Sequence, residues 1–95
     1  MGWTAWRGTA LERLTAKDRE FLRLLTEARK SAGLTQVELS ERLSRPQSFV
    51  SKYERGERRL DVVEFVEVAQ AMGADPIGIL RALLAFSGDR KAARK

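Results

Sequence analysis

Residues 33–56 read GLTQVELSERLSRPQSFVSKYERG, and their spacing predicts two short helices separated by a proline. Thr35 is a candidate N-cap residue with Glu38 three positions later, which is the spacing of a capping box. The first of the two helices must end before Pro46, because a proline ring disfavours helical geometry at the preceding residue. The second helix, residues 47–55, follows the proline directly.

Apolar residues upstream of this stretch predict a longer helix that starts near Asp18. They recur at intervals of three and four positions, which places them on one side of a helix. These residues are Phe21, Leu24, Leu25, Ala28 and Ala32. Residues 1–16 show weaker organisation around Trp3 and Trp6 and are predicted to be an N-terminal arm or extension.

Two further helices are predicted downstream. Asp61 is a candidate N-cap with Glu64 at the reciprocal position of a capping box. Asp75 and Pro76 supply a cap and a first helical residue for a last helix, residues 77–86. A glycine follows the first, third and fourth helices, where a positive φ angle is favoured. These glycines are Gly33, Gly56 and Gly73. The sequence therefore predicts an all-α domain of five short helices on one core, in residues 17–86, followed by a basic C-terminal tail in residues 87–95.

The composition excludes several classes of protein. The chain of 95 residues contains no cysteine and no histidine, so it lacks disulfides, thiolate ligands and the commonest general base. No apolar run approaches the length of a membrane-spanning helix. We therefore expect no catalytic residues, no metal, no cofactor and no membrane partner, and we expect the protein to be cytoplasmic.

The positive charge is concentrated in the middle of the chain. The formal net charge is +5, and residues 42–59 alone carry six basic and two acidic residues. Residues 60–88 carry one basic and four acidic residues. A concentrated basic segment is typical of a protein that binds a polyanion. Charge alone leaves open the alternative that this segment is simply a solvated surface.

Two short helices joined by a tight turn make a helix-turn-helix, and a second helix that begins with small polar residues fits the major groove of DNA. At this point the sequence resembles the Cro/C1-type (XRE) helix-turn-helix family of bacterial and phage repressors. The matching residues are Arg29, Gly33–Gln36, Leu39, Gln47, Ser48, Val50, Ser51 and Tyr53–Gly56. The resemblance covers residues 20–84 and implies a compact, five-helix, lambda-repressor-like DNA-binding domain. The chain departs from the family pattern at Ser40, Phe49 and the pair Arg45-Pro46.

The resemblance implies two sets of DNA-contacting residues. The candidate base-reading residues are Gln47, Ser48, Ser51 and Lys52. The candidate phosphate-contacting residues are Gln36, Arg45, Arg55, Arg58 and Arg59. A glutamine amide pairs bidentately with adenine, whereas Ser48 and Lys52 suit either a base or a phosphate. For Phe49 we favour packing on a neighbouring helix over contact with a thymine methyl group.

Two further sets of residues have structural roles under this interpretation. The resemblance implies that Arg29 and Glu54 form an ion pair between the first and third helices. The last helix carries more apolar residues than a small core needs, and its candidate dimer face is Ile77, Leu80, Leu83, Leu84 and Phe86. The alternative is that all of these side chains are buried in the monomer.

The leading hypothesis is a homodimeric transcriptional regulator, most simply a repressor, that binds double-stranded DNA with a two-fold symmetric operator. We expect a protein of bacterial or phage origin that associates with the nucleoid in the bacterial cytoplasm. The alternative is a module that also binds a protein partner, such as the antitoxin of a toxin–antitoxin pair, or a restriction–modification controller. An enzyme is not expected, because neither histidine nor cysteine is present.

Overall fold

The computed structural model describes residues 14–87, and within that range the chain forms five α-helices and no strand. The helices are α1 (Ala16–Ser31), α2 (Gln36–Arg42), α3 (Ser48–Glu54), α4 (Val62–Ala71) and α5 (Pro76–Ala85). The prediction of an all-α domain of five helices is confirmed. Trp3, Trp6 and most of the predicted arm and tail lie outside the described residues, so the domain boundaries stay predictions.

Capping boxes begin three of the helices. The Thr35 hydroxyl accepts a hydrogen bond from the Glu38 amide at 3.0 Å, and the Glu38 carboxylate accepts one from the Thr35 amide at 2.9 Å. Asp61 and Glu64 form the same reciprocal pair at α4. A third box, between Thr15 and Asp18, starts α1 at residue 16 rather than near residue 18 as the apolar spacing predicts.

A residue in the left-handed backbone conformation follows the end of each helix from α1 to α4. Gly33, Gly56 and Gly73 have φ angles of 75°, 80° and 72°, as predicted from their positions after helices. The helix α2 ends earlier than Pro46 requires, because Ser44 adopts a φ angle of 55°. A serine in this region is uncommon, since only glycine enters it without steric cost.

The core lies between α1, α2, α3 and α4, which supply most of its buried side chains. Its largest fully buried apolar side chains are Leu25, Leu39, Val50, Tyr53 and Val68. Burial of each such side chain contributes about 1.5–3 kcal/mol. The outer faces of α3 and α5 are left exposed by this arrangement.

No single described helix is long and apolar enough to cross a membrane. The length and apolar composition of α4 and α5 suffice only when the two helices are taken together, and these are bent by 115° relative to each other.

Candidate nucleic-acid interface

The helix α3 has one apolar side and one polar side. Phe49, Val50 and Tyr53 are buried against the rest of the domain. The candidate base-reading residues lie on the other side: Gln47, Ser48 and Lys52 are exposed and Ser51 is partly exposed. The structure therefore brings the four predicted residues together on one accessible surface.

The start of α3 is attached to α2 through Ser40, which is completely buried. Its hydroxyl donates to the carbonyl oxygen of Gln47 at 3.3 Å and accepts from the amide of Val50 at 3.4 Å. The Gln47 side chain makes no capping hydrogen bond to the helix, although this residue is the N-cap. The departure from the family pattern at Ser40 thus adds two long hydrogen bonds that fix the start of α3.

The end of α3 is attached to α1 through Arg29 and Glu54. The guanidinium donates to both carboxylate oxygens, from Nε at 2.8 Å and from Nη2 at 3.1 Å. Its Nη1 donates to the carbonyl oxygen of Leu34 at 2.9 Å. The two side chains are only 11% and 7% exposed. The hydrogen bond to Glu54 raises the pKa of Arg29 above its ordinary value, so this residue stays charged.

Gln36, a candidate phosphate contact, lies beside this ion pair. Its Nε2 donates to Oε1 of Glu54 at 2.8 Å. The first residue of α2 is therefore connected to the last residue of α3 by the same carboxylate that binds Arg29. Its predicted contact with a phosphate stays a prediction.

Arg55 follows α3 directly and lies close to the polar side of this helix. Its Nη1 donates to the Ser51 hydroxyl at 2.7 Å, and its Nε donates to the Glu57 carboxylate at 2.8 Å. Hydrogen bonding to Arg55 lowers the pKa of Glu57. The Arg55 side chain remains 56% exposed, and its position beside Ser51 places a positive charge next to the candidate reading residues.

Arg45 and Arg58 come together over the ring of Phe49 in α3. Their guanidinium carbons lie 4.5 Å and 5.0 Å from the centroid of the Phe49 ring. Both donate to the Glu64 carboxylate, at 3.3 Å from Arg45 and at 2.7 Å and 3.0 Å from Arg58. Phe49 is 6% exposed, which confirms the prediction that it packs rather than faces solvent.

Arg59, the last candidate phosphate contact, lies at the N-terminus of α1. Its Nη1 donates to Asp18 at 3.2 Å. Partial burial by itself raises the pKa of Asp18, but hydrogen bonds from the Thr15 amide and from Arg59 outweigh it and lower that pKa overall.

Comparison with known proteins agrees with this geometry. The family model of the helix-turn-helix domain matches residues 20–84. A solved structure, an XRE-family like protein from Pseudomonas syringae pv. tomato str. DC3000, is 54% identical, with a TM-score of 0.70. The match covers 74% of this chain and 88% of that chain. The chain belongs to the XRE family of helix-turn-helix proteins. It is a DNA-binding regulator of that type. No curated protein matches the chain.

The last helix of this XRE-family domain carries an apolar surface that the core does not cover. Ile77, Leu80 and Leu84 are 54%, 39% and 78% exposed. Of the other predicted dimer-face residues, Leu83 and Phe86 are half-buried. The alternative that all of these side chains are buried in the monomer is therefore wrong.

Sequence reasoning missed two features of the XRE-family domain. Val62 and Val63, at the start of α4, are 76% and 66% exposed and extend the apolar surface of the domain. The sequence pattern assigns Glu64 only to a capping box, yet this residue also binds two arginines. A signal for the second role was present in the excess of basic over acidic residues around α3, because buried or half-buried arginines need a carboxylate partner. Among the described residues, no group of three or more acidic residues is placed to hold a metal ion.

Proposed function

We propose that the protein is a homodimeric, sequence-specific repressor that reads the major groove of DNA with α3. The observation that carries the proposal is the exposed polar side of α3, formed by Gln47, Ser48, Ser51 and Lys52. An exposed glutamine amide at the start of a helix suits bidentate pairing with adenine, and an exposed ammonium suits guanine or a phosphate. The buried opposite side of α3 supports the proposal, because a reading helix must be held rigidly by its own domain.

Basic side chains around α3 suit contacts with the phosphates on either side of the groove. Arg45 precedes the helix, Arg55 and Arg58 follow it, and their side chains are 33%, 56% and 38% exposed. Such contacts fix the position of a protein on the duplex without reading its sequence. Each neutralised phosphate makes the logarithm of the binding constant fall by about 0.9 per unit of log salt concentration.

The exposed apolar residues of α5 support a dimer, because apolar surface in contact with water favours burial against a partner. A two-fold dimer presents two copies of α3 to DNA, so each copy reads one half of a symmetric operator. A bound dimer on a promoter excludes other proteins from it, which is the simplest route to repression.

The test is selection of duplexes by the full chain from a random pool, followed by binding assays on the selected sequence. We expect a two-fold symmetric site. Gln47→Ala should weaken binding by about tenfold and relax the preference at one position of each half-site. The matched control is Gln70→Ala, which removes an exposed glutamine of α4. Equal binding by the parent and by Gln47→Ala would contradict the assignment of α3 as the reading helix.

A reporter assay tests the repressor role separately. The selected site is placed across the promoter of a reporter gene, and expression is compared with and without the protein. We expect expression to fall, and to recover with Gln47→Ala. A rise in expression would show an activator and would overturn the repressor role while leaving the DNA-binding assignment intact.

A further inference from the structure

Glu64 lies at the centre of a four-residue cluster that links both ends of α3 to the start of α4. The other members are Arg45 from the turn before α3, Arg58 from the loop after it, and Phe49 from α3 itself. We call this group the Glu64 cluster. Nη2 atoms of both arginines lie within reach of the same carboxylate oxygen of Glu64, at 3.3 Å and 2.7 Å. One carboxylate therefore holds two cations that approach it from opposite ends of the reading helix.

The two arginines are held on more than one side. Arg58 binds both oxygens of Glu64 and also donates to the carbonyl oxygen of Arg59 at 3.0 Å. Both guanidinium groups lie over the ring of Phe49, a contact that is favourable for a cation. Glu64 is itself fixed, because its carboxylate accepts a hydrogen bond from the Asp61 amide at 3.0 Å in the capping box of α4.

The cluster keeps a net positive charge that faces solvent. Two arginines and one glutamate leave one excess positive charge, and the arginine side chains are 33% and 38% exposed whereas Glu64 is 13% exposed. A guanidinium has five N–H donors, so each arginine retains donors after it has bound Glu64. The carboxylate of Glu64 is more buried than the two arginine side chains, so a phosphate that approaches from solvent meets the arginines first.

We infer that Glu64 is a positioning residue for DNA binding, which acts by holding Arg45 and Arg58 ready to bind the phosphate backbone. This inference rests on the proposed function and adds to it a carboxylate that strengthens binding to a polyanion. Long cationic side chains lose rotamer freedom when they bind, and prior restraint by Glu64 and Phe49 removes part of that cost.

The net charge alone predicts an effect of Glu64 on DNA binding that is opposite in sign to the positioning role. Removal of an acidic residue makes the protein more positive and should strengthen its attraction to DNA. Under the positioning role, Glu64→Gln weakens binding to the selected duplex although the net charge rises. A glutamine retains the reciprocal hydrogen bond of a capping box, so the start of α4 is preserved. The two explanations therefore predict changes of opposite sign.

The experiment measures binding of the full chain and of Glu64→Gln to the selected duplex and to a scrambled duplex of equal length, over a range of salt concentrations. We expect the affinity for the selected duplex to fall about tenfold, the size expected for the loss of one charge-assisted hydrogen bond. The salt slope should become shallower by about 0.9 to 1.8, since one or two ordered phosphate contacts are lost. The affinity for the scrambled duplex should also fall, because phosphate contacts do not read the sequence. The matched control is Glu67→Gln, which removes an exposed carboxylate from the same helix and changes the net charge equally.

A double-mutant cycle separates positioning from a general loss of structure. In a background of Arg45→Ala with Arg58→Ala, Glu64→Gln should have no further effect on binding, because the side chains through which it acts are absent. A loss that persists in this background, or unchanged or tighter binding by Glu64→Gln itself, would overturn the inference. Thermal unfolding of each variant establishes that binding is measured on folded protein. If the parent chain selects no sequence, the proposed function fails and this inference fails with it. If the parent selects a sequence and Glu64→Gln binds it as tightly as the parent does, this inference fails and the proposed function stands.

Discussion

Arg29 in α1 and Glu54 at the end of α3 form a two-hydrogen-bond ion pair across 25 positions of the chain, with distances of 2.8 Å and 3.1 Å. The same carboxylate accepts a hydrogen bond from Gln36 at the start of α2. One buried acid thus joins the first three helices at the end of α3. Its two partners hold the end of α3 against α1 and α2.

Loss of Glu54 should strongly destabilise the fold. Glu54→Ala leaves the charge of Arg29 almost buried and without its partner, and we expect the free energy of unfolding to fall by about 3–5 kcal/mol. Urea unfolding followed by circular dichroism measures this change. The control is Glu57→Ala, because the Arg55–Glu57 pair is 56% and 39% exposed and should contribute little. Similar losses in the two variants would contradict a special role for the buried pair.

Acid should weaken the domain in part through Glu64. Hydrogen bonding from Arg58 lowers the pKa of Glu64 from 4.5 to about 2. A carboxyl group whose pKa is lowered in the folded state stabilises the protein above its unfolded pKa, and this contribution is lost as the pH falls through the folded pKa. We therefore expect the contribution of Glu64 to be complete above about pH 4.5 and to decline towards about pH 2.

Comparison of the parent with Glu64→Gln by urea unfolding isolates this contribution. Between about pH 6 and about pH 3 the parent should lose about 1 kcal/mol more than the variant, less than the full shift implies because both arginine partners are partly exposed. Asp18, whose pKa is also lowered, titrates in both proteins and so cancels. Glu67→Gln should keep the pH dependence of the parent. Parallel pH profiles for the parent and Glu64→Gln would contradict the prediction.

The turn between α2 and α3 contains backbone strain at Ser44 that a substitution by glycine should relieve. Ser44 has a φ angle of 55°, and a residue with a side chain pays about 1–2 kcal/mol in this region. Ser44→Gly should raise the free energy of unfolding by up to about 1 kcal/mol, since the greater freedom of glycine in the unfolded chain offsets part of the gain.

The reverse substitution at the end of α1 is the matched comparison for Ser44→Gly. Gly33 has a φ angle of 75°, and an added Cβ atom there meets no atom within 4 Å. Gly33→Ala should therefore destabilise the protein by about 1 kcal/mol through the backbone alone. Thermal unfolding of both variants checks the two signs. A loss of stability in Ser44→Gly would mean that the serine side chain stabilises the turn by more than its backbone costs.

Local signals account for most of what could be predicted about the fold. The caps at Thr35 and Asp61 and the glycines after α1, α3 and α4 act within a few residues, so their chemistry is visible in the sequence. Ser44 could not be predicted in this way, because a serine in the left-handed region differs in no way from any other serine in sequence. The cap at Thr15 was missed because the apolar stripe of α1 begins only after it.

The candidate site was harder to predict than the fold, because it depends more on contacts between residues far apart in the sequence. The polar side of α3 was predictable, because the 3.6-residue period that buries Val50 and Tyr53 also exposes Gln47 and Lys52. The contact of Arg45 with Glu64 was not, since no local pattern links residues 19 positions apart. The pairing of Arg29 with Glu54 came from the family resemblance rather than from the spacing of the residues.

The exposed side of α5 should form the contact between two copies of the chain. Leu84 is 78% exposed, and it lies one helical turn from Leu80, so the two residues share one side of the helix. Leu84→Glu places a charge in the proposed interface and should raise the dimer dissociation constant by about tenfold or more. Sedimentation equilibrium measures this constant for the parent and the variant.

The control for Leu84→Glu is Ala82→Glu, since Ala82 is exposed on the opposite side of α5 and receives the same charge. We expect Ala82→Glu to leave the dissociation constant unchanged. Leu84→Glu should also bind the selected two-fold duplex less tightly, because two linked copies of α3 bind more strongly than separate ones. The unfolding of the dissociated chain should be unaffected, as the leucine contributes little to the monomer core. A parent chain that remains monomeric at all concentrations, or a Leu84→Glu variant that dimerises as the parent does, would show that this surface is not the dimer interface.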